Sequence, residues 1–271
     1  MDVESLGYRT DLMLRRLEGS EITDHGGYLT LHSPSHPEYW WGNFLLMPQA
    51  ALREDTDIWM SRFAEAFPDA KHVALGVDGS SGSPAVQGAA VPAGYAEAGL
   101  RLDRSVVMTA VALREPPHPN HQAQYRPLSS DDDWQAAVEL RWACHDGPPG
   151  SPADREFGER RAATARQLAE SGHGACFGAF RDGRLLAQLG IFSDGSGVAR
   201  YQNVETHPAA RGKGLAGTLV WHAGRHALGA LGASTLVIVA DPGYHAIRIY
   251  RSVGFSDREI QTALERDPAR R

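Results

Sequence analysis

Between His207 and Ala223 the sequence reads HPAARGKGLAGTLVWHA, and two phosphate-binding patterns overlap in it. Gly212, Gly214 and Gly217 stand as G-x-G-x-x-G, the spacing of a dinucleotide-binding turn. Read from Arg211, the same letters give R-x-x-G-x-A. Arg211 and Lys213 flank the glycines. A helix starting near Gly214 would offer free amides and the positive end of its dipole to an anion. Small residues at Gly212, Gly214 and Ala216 let a phosphate approach the backbone. Gly214→Glu is therefore expected to abolish binding of the anion, by bulk and charge, and to leave the fold intact. Glycine loops are also common punctuation without any ligand, but the two cations at a helix start favour an anion site.

The surrounding elements decide which anion. Asp241, closing the next strand, suits a ribose hydroxyl, as a dinucleotide site requires. Against this, the strand before the glycines, ARYQNVET, is polar rather than Val/Ile-rich, and HPAA intervenes. The upstream strands ACFGAF, LLAQLGIF and VARYQNVET are joined through Asp-Gly turns, so they are antiparallel hairpins and not a βαβ unit. Only one further strand-helix-strand follows. The second half parses as β-α-α-β-β-β-α-β-α-β. Its opening strand is Gln124–Leu128, Ser130 caps the first helix, and Pro152 opens the second. TLVIVA (Thr235–Ala240) is a buried strand, and Gly254 ends a short helix.

A second motif completes the reading. AIRIYRSVGF (Ala246–Phe255) matches A-x-x-L-Y-x-x-x-G-F. Together with Arg211–Ala216, and with one helix and one strand between, it resembles the GNAT acyltransferase family over roughly Gln124–Ala263. The resemblance implies a mixed α/β sheet of the GNAT fold, with acetyl-CoA as co-substrate. It implies direct transfer of an acetyl group to an amine of a small molecule or peptide. Val204 to Thr206 would supply backbone groups to the pantetheine arm and thioester. Arg211, Gly212, Lys213, Gly214, Leu215, Ala216 and Gly217 would hold the pyrophosphate. Tyr250 would donate a proton to the departing thiolate. The general base is left open between Glu205, His207 and the loop pair His145 and Asp146, with Glu205 the leading candidate. One departure stands out: the family often has Asn where this chain has Gly243, and Tyr244 or His245 are the available substitutes. A non-catalytic acyl-CoA-binding protein is the alternative function, and an NAD(P)-dependent oxidoreductase the third.

Other candidates read as structural. His222 and His226 lie one helical turn apart but lack a third ligand, so no metal is expected. Cys144 and Cys176 form no disulfide framework, and direct transfer needs no cysteine nucleophile.

The first half echoes the second. HVALGVDG resembles TLVIVADP, and Tyr95 and Gly99 stand as Tyr250 and Gly254 do. WWGNFLLMP ends in Pro48, and a helix carrying Trp59, Phe63 and Phe67 follows. The expectation is two tandem copies: a degenerate one over 1–115, a linker over 116–122, and a catalytic one over 123–271. Where the glycine loop should be, the first copy has Glu54, Asp55 and Asp57, which would repel a pyrophosphate. The cluster HPEYWWGNF (His36–Phe44) is expected to fill an interface rather than meet an acceptor.

Composition narrows the setting. A net charge of -6 gives no support to a nucleic-acid partner. There is no long apolar run for a membrane span and no signal-peptide pattern at the start. A cytoplasmic location is expected, and self-association is left open.

Overall fold

The computed structural model describes residues 1–79, 91–144 and 152–267. The chain forms two compact units. One comprises Met1–Val107 with Arg258–Arg271, the other Met108–Asp257. The C-terminal strand leaves the second half for the first unit, and the segment read as a linker belongs to the second.

In the first unit, α1 (Leu6–Leu17) is capped by Ser5, whose side chain accepts from the Tyr8 amide. Strands β1 (Glu21–Asp24), β2 (Leu29–His32) and β3 (Phe44–Pro48) pair antiparallel in turn. β3 then runs parallel to β4 (Val73–Asp78). β11 (Ser256–Arg266) pairs antiparallel with β4, Val77 facing Thr262 and Val73 facing Arg266. Helices α2 (Thr56–Ala66) and α3 (Ala93–Glu97) and strand β5 (Arg101–Ala110) complete the elements. β3 and β4 are buried on both faces, as parallel strands usually are. Because side chains alternate along a strand, Leu45, Met47, Leu75 and Val77 meet Trp59, Phe63 and Tyr95 of the helices. Phe44, Leu46 and Ala74 meet Tyr8 and Leu12 on the opposite face. The cluster at His36–Phe44 packs within this unit: Trp40 stacks on His72 at 5.4 Å, and Asn43 Nδ2 donates to the His36 and Tyr39 carbonyls.

In the second unit the strand order is β10-β9-β8-β7-β6. β6 (Gln124–Pro127), β7 (Gly174–Arg181), β8 (Arg184–Phe192) and β9 (Val198–Thr206) are antiparallel neighbours. β10 (Thr235–Ala240) runs parallel to β9. Asp182 and Gly183, both at positive φ, form the β7–β8 turn that the Asp-Gly pair announces. α4 (Asp131–Ala143) starts in a capping box between Ser130 and Asp133. Asp133 also receives both guanidinium nitrogens of Arg126, at 2.6 and 2.8 Å, which hold its carboxyl well below the usual range. α5 (Pro152–Glu170), α6 (Leu215–Ala230) and α7 (Ala246–Ser252) follow. Among the described residues, no helix is long and apolar enough to cross a membrane.

The succession β9-α6-β10-α7-β11 repeats β3-α2-β4-α3-β5 in order, and the first two strands of each set are parallel. Tyr95 and Tyr250 are both buried on the short helix, and Gly99 and Gly254 both take positive φ after it.

Leu264 is fully buried in the first unit's core although it lies near the end of the chain. Leu264→Ala should cost about 3 kcal/mol, the usual toll of a large-to-small core change, read as a lowered midpoint in urea denaturation.

Candidate active site

The site grows from an irregularity in β9. Gln188 of β8 faces Glu205, while Gly190 faces Gln202, so two residues of β9 oppose one of β8. Asn203, at φ +49°, absorbs the extra residue. β9 pairs with β10 only from Val198 to Arg200. Beyond that point the strands part, and a cleft of about 570 Å3 opens. Val204, Glu205 and Thr206 form one side of it. The Thr206 carbonyl accepts Arg211 Nε at 3.3 Å.

The second side is the start of α6. Three other helices begin with a side chain on their free amides: Ser5, Asp55 and Ser130. α6 begins with Gly214, at φ +75°, and no side chain caps it. A helix leaves its first amides without intrahelical partners. Here Leu215, Ala216 and Gly217, which carry those amides, line the cleft together with Arg211, Gly212 and Gly214. Lys213 alone of the expected loop is not on the wall; its Nζ donates to the Ala209 carbonyl at 3.0 Å.

Tyr250, on α7, lies on the third side. It is buried, and burial, with Tyr244 nearby, pushes its phenol above the ordinary value. Glu205 is mostly buried too. Burial raises its carboxyl above the usual carboxylate value, while Arg141 and Gln188 oppose the rise. Arg141 Nη1 stands 3.3 Å from Oε1, and Gln188 Nε2 donates to Oε2 at 2.6 Å. Gln188 is fixed in turn by the Ala137 carbonyl at 3.0 Å. One cleft thus brings together the Glu205 carboxyl, the Tyr250 phenol and the uncapped start of α6.

Other candidates fall elsewhere. His207 caps its own turn, Nδ1 accepting from the Ala209 amide. His145 and Asp146 lie outside the described residues. His222 stacks on Tyr125 and His226 packs against Phe177, and burial lowers both imidazoles. Tyr244 and His245, beside Gly243, line the cleft, as does Cys144. Pro116, Pro117 and His118 also line it. Sequence reading missed these three because a proline-rich polar stretch signals a linker and says nothing of what it packs against.

The equivalent corner of the first unit differs in kind. Its cavity of about 550 Å3 is lined by Glu54, Asp55, Asp57 and Glu97. Asp55 caps α2, and Glu54 accepts from Trp59 Nε1. Four carboxylates and one cation, Arg53, thus line it.

The expectation that a side chain at Gly214 spares the fold is overturned. A Cβ there would collide with the His118 carbonyl, and the φ of +75° disfavours any L side chain.

The second unit is a mixed α/β domain opened by a cleft. Residues 134–255 match the acetyltransferase (GNAT) family, and the second unit is a GNAT-family domain. Solved structures agree in fold over most of the chain. A GCN5-related N-acetyltransferase from Kribbella flavida superposes with a TM-score of 0.60 at 17% identity, covering 96% of this chain and 95% of that one. One from Sphaerobacter thermophilus gives 0.58 at 15% identity, over 91% and 82%. A tandem GNAT protein from the clavulanic acid biosynthesis pathway gives 0.54 at 14% identity, over 80% and 71%. A comparison with curated proteins found no match.

Arg141 holds the Glu205 carboxyl down, so Arg141→Ala should move its titration to higher pH. Carbon-detected NMR of the glutamate carboxyls checks this; an unmoved or lowered midpoint contradicts the placement of the pair.

Proposed function

We propose that the second unit transfers an acetyl group from acetyl-CoA directly to an amine of a small molecule or peptide. The carrying observation is the uncapped start of α6 opening into the same cleft as Glu205 and Tyr250. In this reading the first unit is a degenerate tandem copy without a pyrophosphate site, and the protein works in the cytoplasm. The thioester supplies the activated acyl group. The amides of Leu215, Ala216 and Gly217, with Arg211, would meet the pyrophosphate. Backbone groups of Val204 and Thr206, freed where β9 leaves β10, would align the pantetheine arm.

The proton movements follow from the two buried acids. An attacking amine must shed a proton, and Glu205 accepts it directly or through a water. The leaving thiolate must gain one, and Tyr250 supplies it. Glu205 acts as its anion, so turnover should rise with pH through its elevated pKa, above the range of an exposed glutamate. Arg141→Ala should shift that acid limb further up.

Two variants test the assignment. Ala216 lies in the first turn of α6, where a carboxylate suits the helix dipole. Ala216→Glu should therefore fold normally, yet weaken acetyl-CoA binding by about a hundredfold through repulsion of the pyrophosphate. Unchanged affinity in calorimetry would remove the pyrophosphate assignment. Tyr250→Phe should lower kcat about a hundredfold, the low end for a general acid, with acetyl-CoA affinity kept within about twofold. Thiol release with a panel of amines supplies the rate. Binding without turnover across the panel would favour an acyl-CoA-binding protein instead.

A further inference from the structure

The segment from Pro116 to Ala123 has the composition of a solvated linker, but Pro116, Pro117 and His118 line the cleft and Asn120 bonds the glycine loop. Pro116 is buried, and a Cβ added at Gly217 would stand 3.4 Å from its ring. The His118 carbonyl lies where Gly214 would carry a side chain. Asn120 makes four hydrogen bonds. Its amide donates to Thr218 Oγ1 at 2.9 Å, and its Nδ2 donates to the Lys213 carbonyl at 2.8 Å. Its Oδ1 accepts from the Gln122 and Ala123 amides, at 3.0 and 3.1 Å. Thr218, itself buried, donates its Oγ1 hydrogen bond to the Gly214 carbonyl at 2.9 Å.

We propose that Pro116–Asn120 is a positioning strap for the pyrophosphate loop, holding the loop's amides in their binding arrangement before a ligand arrives. This rests on the acyl-CoA reading above. In a trans peptide the C=O and N–H point in opposite directions, and no bond among the described residues is cis. Asn120 fixes the Lys213 carbonyl directly and the Gly214 carbonyl through Thr218. The amides of Gly214 and Leu215, in the same two peptide planes, are thereby turned away from those contacts. Gly212 and Gly214 both adopt φ +75°. Glycines have the most backbone freedom to lose on ordering. A strap that orders them in advance removes that loss from the binding step. It also keeps two carbonyl oxygens, which would repel a phosphate, occupied on the far side. Gly214 therefore answers to two constraints: the left-handed turn and the strap's carbonyl.

The test uses the full-length protein and two ligands. Calorimetry measures acetyl-CoA, and ligand-observed NMR measures S-acetyl-pantetheine, a thioester without the pyrophosphate. Asn120→Ala should weaken acetyl-CoA about tenfold, the scale of one lost hydrogen bond at a charged ligand, and leave S-acetyl-pantetheine within about twofold. Asn120→Asp keeps the acceptor for Gln122 and Ala123 and loses the donor to Lys213. It should weaken acetyl-CoA similarly, and its ratio to wild type should persist in high salt. Amides 212–217 should exchange faster in both variants without ligand. Equal loss for both ligands, or unaltered acetyl-CoA affinity, overturns the strap. Should the variants misfold, hydrogen exchange on the wild type decides. Acetyl-CoA must slow residues 118–123 and 212–217 together, and a strap left unchanged overturns the proposal. A wild type that does not bind acetyl-CoA overturns the acyl-CoA reading itself; binding with unaffected variants overturns the strap alone.

Discussion

The first turn of α6 presents backbone amides that its own helix cannot satisfy and that no side chain caps. This constraint organises the second unit. Gly214 must be left-handed to start the helix there, and the residues after it must be small enough to leave the amides open. β9 must also part from β10, or the amides would face protein instead of a cleft. The bulge at Asn203 lies where that parting begins, and it re-aims Val204, Glu205 and Thr206 toward the gap.

The first unit shows the same architecture with the constraint met differently. Its β3-α2-β4 run has the same parallel pairing. Asp55 caps α2 with its own carboxylate, and Glu54 is tied to Trp59. A helix start already holding a carboxylate has little left to offer a phosphate. Two similar element successions thus differ in what sits on the helix start: a carboxylate in one, an open glycine in the other.

Burial gives the two acids their complementary characters. Desolvation disfavours charge, so it raises both carboxyl and phenol. For Glu205 the rise is checked by Arg141 and Gln188. For Tyr250 no such check operates, and the neighbouring Tyr244 adds to the effect, so the proton stays on.

Much of the fold was legible in the sequence, because local chemistry wrote it. Asp182-Gly183 forces a tight hairpin, Ser130 with Asp133 starts a helix, and the apolar spacing of Leu215, Leu219 and Ala223 fixes a helix face. The order of elements in the second half could be read for the same reason, as could the glycine loop and the aromatic anchor Tyr250. Tertiary structure alone decided three things. The last strand joins β4, because strand pairing over such a sequence distance leaves no local mark. Glu205 is gripped by Arg141 and Gln188, whose meeting depends on how α4 lies against β8 and β9. Residues 116–123 lie against the loop, since prolines and polar residues encode an extended path and not its destination. Sequence determines local geometry through dihedral preference and periodicity. Which remote groups come within hydrogen-bonding reach is decided only when the chain packs.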